Sequence, residues 1–260
     1  MKRLISDMLG RDVEFHYPPK RIISVVPSQT ELLYDLGLDD EVVGITKFCV
    51  HPDEWFRNKT RVGGTKKLNI DKIRELQPDL IIANKEENER EQIEELAKEF
   101  PVWISDIQNI PQALQMIQVV GQLTGTEAKA NELVDEIVVG FTNLQKATTS
   151  KRVAYFIWYN PWMSIGGDTF ISNMIQTIGW QNVLKEQSRY PEITLEQLKS
   201  YNPELVLLSS EPYPFKEKHI EEIKAVLPDA DVRLVDGEMF SWYGSRLKKA
   251  VGYLNELIHQ

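Results

Sequence analysis

The chain has 260 residues, 42% hydrophobic and 27% charged, with a net charge of -9 and a pI near 5.1. That balance describes a soluble globular chain of one large domain or two lobes of ordinary size. The acidic surplus argues against a nucleic-acid backbone or an anionic membrane as partner. The single cysteine, Cys49, excludes an internal disulfide, and no apolar run reaches membrane-spanning length.

Residues 1–20 read as a polar lead-in closed by Pro18-Pro19. Ser6, Asp7 and Arg11 interrupt any apolar core of a signal segment, so the expected location is either the cytoplasm or outside it after removal of a signal. Ile22–Val26 is a strand. Pro27-Ser-Gln-Thr30 turns into a helix that stops at Gly37, with Ser28 or Thr30 as its cap. Val42–Ile45 is the next strand, followed by the loop Thr46–Trp55 and a second loop at Arg61–Lys67. A short helix and the strand Leu80–Ala83 follow, then a charged helix that opens near Asn84 and reaches Phe100, then the strand Val102–Ser105.

From Pro111 the apolar residues recur at helical spacing, through Gly121 and Gly125 into Ala130, Leu133, Val134, Ile137, Val138, Phe141 and Leu144. A helix from Thr126 to Gln145 would be roughly 30 Å long, enough to cross a domain. The second half has the strand Val153–Trp158, the loop Tyr159–Met163, a Gly166-Gly167 turn and a helix from Phe170 to Ile178. After a further helix and strand come Ser209–Lys216, the strand Val232–Val235, the segment Asp236–Arg246 and a C-terminal helix.

One stretch is repeated. Leu68–Ala83 aligns with Ile193–Leu208 without a gap, placing Asp71 on Glu196, Pro78 on Pro203 and Asp79 on Glu204. Arg21-Ile-Ile-Ser-Val is echoed more weakly by Arg152-Val-Ala-Tyr-Phe. Two echoes in one order point to duplication of a lobe. The expected layout is a lead-in at 1–20, an α/β lobe at 21–108, connecting helices at 109–150 and a second α/β lobe at 151–260. Strands alternating with helices predict parallel sheets, whose ligands sit at the carboxyl ends of the strands. Those loops carry Phe48, His51, Trp55, Asn84, Lys85, Tyr159, Trp162, Tyr213, Phe215, Phe240, Trp242, Tyr243 and Arg246. Aromatics with a few charges suit a large, flat, partly polar ligand. Trp158 and Trp180 are expected in the core. No dinucleotide, Walker, nucleophile-elbow or Cys-x-x-Cys motif occurs, so an enzyme is not expected. Gly166-Gly-Asp-Thr could position a phosphate but lacks a lysine.

Arg21-Ile-Ile-Ser-Val-Val-Pro-Ser-Gln-Thr-Glu-Leu, then Gly37, Val43-Gly-Ile and Asn69-Ile-Asp-Lys-Ile…Gln-Pro-Asp-Leu-Ile-Ile resemble the substrate-binding proteins of ABC importers for vitamin B12 and ferric siderophores. The similarity runs from about residue 20 to the C-terminus. It implies two α/β lobes with central parallel sheets, joined by a single long backbone helix and holding ligand between them. It also implies a permease as partner, a periplasmic or cell-surface location, a transported ligand that is cobalamin or another metal chelate, and no intrinsic cofactor. The resemblance further implies that one acidic residue per lobe docks the permease, at the matching positions Asp71 and Glu196. The cobalamin binders are the nearer resemblance through Gly44-Ile-Thr-Lys-Phe-Cys-Val-His-Pro. A ferric siderophore or haem, or a cytoplasmic carrier or sensor of such a ligand, stays open. Ligand contact is read at Phe48, His51, Trp55, Lys85, Tyr159, Trp162, Tyr213, Phe240, Trp242, Tyr243 and Arg246, with His51 a candidate axial ligand to the metal. Charged predicted faces suggest a monomer.

Overall fold

The computed structural model describes residues 1–260. The chain forms two compact units. The first contains residues 1–107, 111–138 and 243–246; the second contains 108–110, 139–242 and 247–260.

The first unit opens with a hairpin, β1 (Lys2–Ser6) and β2 (Asp12–His16). This corrects the reading of residues 1–20 as a featureless lead-in. The Asp7 carboxylate closes the turn by accepting from the Leu9 and Arg11 amides and from the Arg11 guanidinium. Val13 and Phe15 alternate inward, the period-2 signal of a half-buried strand. Next come β3 (Ile22–Ser24), α1 (Pro27–Asp35), β4 (Val42–Ile45), α2 (Asp53–Asn58), β5 (Thr60–Arg61), the small pair β6 (Gly63–Gly64) and β7 (Lys67–Leu68), α3 (Ile70–Leu76), β8 (Leu80–Asn84), α4 (Arg90–Leu96) and β9 (Val102–Ser105). The main sheet has the order β5-β4-β3-β8-β9, with every pairing parallel. Its core gathers Ile23, Val25, Ile73, Ile81, Leu96 and Ile104.

Two helices follow, α5 (Ile110–Thr124) and α6 (Glu127–Thr142), in place of one continuous rod. Gly125 separates them at φ +79°, a left-handed conformation that glycine adopts without a Cβ penalty. The α6 helix stops three residues short of the expected Gln145.

The second unit contains β10 (Arg152–Trp158), β11 (Met163–Ser164), α7 (Phe170–Thr177), β12 (Gln181–Asn182), α8 (Leu195–Tyr201), β13 (Leu205–Ser209), α9 (Glu217–Val226), β14 (Asp231–Val235), α10 (Glu238–Ser241) and α11 (Leu247–Ile258). Its sheet runs β11-β10-β13-β14, with β12 also on β10. Only β11 is antiparallel. The fold is therefore α/β with parallel central sheets, as the alternation of elements required.

The repeat is structural as well as sequential. Asn69 caps α3 by accepting from the Lys72 amide, and Thr194 caps α8 by accepting from the Gln197 amide. Gln77 and Asn202 close the two helices in the left-handed region, at φ 46° and 47°. The Asp79 carboxylate accepts from the Arg21 amide, and Glu204 accepts from the Arg152 amide. The Arg21 guanidinium donates to the carbonyls of Leu76 and Gln77, and Arg152 donates to those of Tyr201 and Asn202. Each unit thus fastens its helix end and two strand starts with the same arginine–acid device.

The Gly166-Gly167 pair has a packing explanation. A Cβ on Gly167 would stand 2.1 Å from the Lys185 carbonyl oxygen, and one on Gly166 would stand 2.5 Å from that of Gln187. Close backbone approach accounts for both glycines.

Candidate functional site

In the second unit β10 and β13 end side by side, and their following loops gather aromatic rings. Trp158, the last residue of β10, is 41% exposed. That corrects its expected place in the core; it stands at the strand end, past the buried run from Val153 to Ile157. Its ring meets Tyr213 edge-on at 5.8 Å. Tyr159 meets Trp162 at 5.0 Å, and Trp162 stacks on Phe215 at 5.7 Å and 16°. Tyr159, Trp162 and Tyr213 are half-buried, while Phe215 is buried as their backing. The Tyr159 hydroxyl donates to Glu222, which together with burial raises the phenol above its ordinary value.

At the centre of these rings lies His219, fully buried. Sequence reading missed it. The available signal was its place at the third position of α9, where a side chain can reach back to the amide before the helix. The Lys216 amide does donate to His219 Nδ1, at 2.9 Å.

Further along this unit, Phe240 is fully buried between Tyr155 and Tyr253, at ring distances of 5.2 and 6.2 Å. Trp242 is also buried, and its indole donates to Glu211 at 2.9 Å. Glu211 accepts from Ser241 as well, at 2.6 Å, and burial raises its pKa. Phe240 and Trp242 follow a strand in sequence, but their side chains are committed to protein partners. Trp180 is buried as expected.

In the first unit the strand-end loops are more polar. Phe48 is 50% exposed, with the Lys47 ammonium 5.0 Å from its ring centre. His51 is half-buried. No cluster of three or more His, Cys, Asp or Glu suited to a metal ion occurs, with His51 or elsewhere. Cys49 is sealed between Thr30 and Thr46, and burial pushes its thiol up to about 11. Trp55 is 1% exposed: α2 turns it inward, where its indole donates to Asp39 and its ring meets Tyr34. This corrects its reading as a ligand contact. Lys85 pairs with Asp106 at 2.5 Å.

A buried polar network lies beneath these loops. Gln29 donates to Ser105, Asn84 donates to Ser105, and Asn88 donates to the carbonyls of Val25 and Thr65. The Asn84 side-chain oxygen Oδ1 also accepts from the Glu86 and Glu87 amides, so this segment is a turn and α4 starts only at Arg90. Residues 243–246 join this unit. Tyr243 donates to Glu87 at 3.1 Å, and Arg246 pairs with Glu31 at 2.9 Å. Burial, with Glu87 beside it, raises the Tyr243 phenol well above its ordinary value. Tyr243 and Arg246 are each 6% exposed. Both were expected on a ligand-facing loop, and both are instead held inside by carboxylate partners.

Asp71 and Glu196 occupy the same position, the second residue of α3 and of α8. The Asp71 side chain is 91% exposed and lies 3.5 Å from Arg74; Glu196 is also exposed.

No helix is long and apolar enough to cross a membrane. Over 98% of its length the chain is 30% identical to an uncharacterised ABC transporter substrate-binding lipoprotein, YvrC, of Bacillus subtilis, covering 85% of that relative. It is 27% identical to the vitamin B12-binding protein of Photorhabdus laumondii, over 74% of this chain and 71% of that one. Among solved structures it superposes with a TM-score of 0.78 on a possible iron-binding (periplasmic solute-binding) protein of Staphylococcus epidermidis, at 25% identity, covering 94% of this chain and 100% of that one. Residues 22–227 match the model of the periplasmic binding protein family, and with substrate-binding proteins of ABC transporters as its relatives the chain belongs to that family.

Proposed function

We propose that this protein is the substrate-binding receptor of an ABC importer and that its ligand is a corrinoid. The observation that carries this reading is the half-exposed aromatic group Trp158, Tyr159, Trp162 and Tyr213 at the strand ends of the second unit. Aromatic faces and edges suit a broad ring system with polar substituents. Three basic side chains of the first unit are already matched by acids, which supports a corrinoid over haem or a carboxylate siderophore; Lys47 beside Phe48 and Lys218 beside Tyr159 are the cations an anionic ligand would have to use. Lys85 is paired with Asp106, Lys66 with Glu89, and Arg246 with Glu31. Propionates would need to displace those acids, whereas the amides around a corrin ring need only hydrogen bonds. Within the first unit, His51 is the residue to test for metal ligation. The similarity to a vitamin B12-binding protein supports the same choice.

Titration of the purified protein with cyanocobalamin and aquocobalamin, read by tryptophan quenching and the visible spectrum, tests this. Micromolar or tighter binding is expected. Absence of binding to either, with binding of haemin or a ferric hydroxamate, moves the ligand to that class. A spectral shift with aquocobalamin that disappears in His51→Ala marks His51 as the axial ligand.

The matched positions of Asp71 and Glu196 support docking to the permease through one acid on each unit. The Asp71→Lys/Glu196→Lys protein is expected to bind ligand normally and to lose transport at least tenfold in cells. Unimpaired uptake by that double variant refutes the docking role. The lipoprotein relative supports work outside the cytoplasm, which cell fractionation checks.

A further inference from the structure

The His219 ring is fully buried, with Lys216 against Nδ1 and Tyr213 against Nε2. At Nδ1 the Lys216 amide nitrogen lies 2.9 Å away and the Lys216 carbonyl oxygen 3.1 Å away. The backbone fixes the amide hydrogen toward the ring, an N–H can only donate, and its contact is the shorter, so we take Nδ1 as the acceptor. The ring proton therefore sits on Nε2, which stands 3.2 Å from the Tyr213 hydroxyl oxygen. Four rings fix the imidazole: Tyr159 at 4.6 Å, Phe215 at 5.2 Å, Tyr213 at 5.5 Å and Trp162 at 6.3 Å. With Nε2–H occupying a lone pair of the phenol oxygen, the hydroxyl hydrogen of Tyr213 must point elsewhere.

Resting on the reading of the aromatic group as the ligand face, we infer that His219 is a positioning residue that makes Tyr213 a hydrogen-bond donor to the ligand, and that the ligand presents a carbonyl-type acceptor there. The chain of cause is short. The start of α9 sets the Nδ1 acceptor, the acceptor sets the tautomer, and the tautomer sets the direction of the Tyr213 hydroxyl. Charged groups near the ring are Glu222, through Tyr159, and Lys218, whose ammonium lies 5.7 Å from the Tyr159 ring; neither hydrogen-bonds the imidazole.

A double-mutant cycle on cobalamin affinity tests this role. Tyr213→Phe and His219→Phe should each weaken binding about tenfold, as loss of one hydrogen bond to an oriented donor does. The double variant should lose no more than either single one. A loss near a hundredfold, the product of the two, overturns the coupling. His219→Gln retains an acceptor for the Lys216 amide and should melt near the wild-type temperature while losing affinity as the Phe variant does. Wild-type affinity in His219→Gln reduces the histidine to a helix cap and overturns the inference. In the ligand-free protein, nitrogen-15 NMR should show the His219 proton on Nε2; the opposite tautomer refutes the argument whatever the ligand is. A wild-type protein that binds none of cobalamin, haemin and ferric hydroxamate overturns the ligand reading and the assigned donor role with it.

Discussion

Arg246→Met is expected to destabilise the first unit by about 3–5 kcal/mol, because it leaves the Glu31 carboxylate buried without its counter-charge. Both side chains of this pair are only 7% exposed, and the contact is 2.9 Å. The cost of that variant lies in the partner it strands. Replacing both members, as Arg246→Met/Glu31→Leu, should recover most of the loss and bring the protein within about 1–2 kcal/mol of wild type. Denaturant midpoints for the three proteins check this. A single variant as stable as wild type but weaker for ligand would show that Arg246 grips ligand, and the ion pair would then have no structural role.

Phe240→Ala should lower the stability of the second unit by about 3–5 kcal/mol, the usual range for emptying an aromatic core site. Phe240 has no exposed surface and lies between Tyr155 and Tyr253. Tyr155 is itself fully buried, so the site cannot admit water cheaply around the cavity. Phe240→Leu keeps most of the volume and should cost about 1–2 kcal/mol. The m-value should stay constant across the series, since the surface exposed on unfolding hardly changes. A loss below about 1 kcal/mol in Phe240→Ala would place the ring at the surface.

These two residues show where sequence reading stops. Position after a strand led to the expectation that both face a ligand. Direction was beyond it. Whether the chain turns a side chain out or in after a strand depends on what later segments bring beside it. Arg246 is buried because Glu31 lies there, 215 residues earlier in the chain. Trp55 is buried because α2, six residues long, rotates it toward Tyr34 and Asp39. Trp158, the reverse case, looked apolar enough for the core, but it ends its strand and stands 41% exposed. The N-terminal hairpin was overlooked for a related reason. Its only apolar signal is the short alternation of Val13 and Phe15, and its turn is held by an aspartate–arginine contact that no turn dipeptide announces. His219 gave no signal by composition; its surroundings are a helix start and four rings from two loops, Tyr159 and Trp162 after β10 and Tyr213 and Phe215 after β13.

What the sequence determined by itself is the α/β alternation, the parallel sheets, the repeated helix–strand motif with its acids at 71 and 196, and the family. These rest on periodicity and on short-range capping and turn chemistry, which neighbouring residues enforce locally. Tertiary structure alone decided which aromatics remain exposed and which are spent on packing. That choice depends on partners distant in sequence, because burial of a side chain is a property of the assembled unit and not of the segment that carries it.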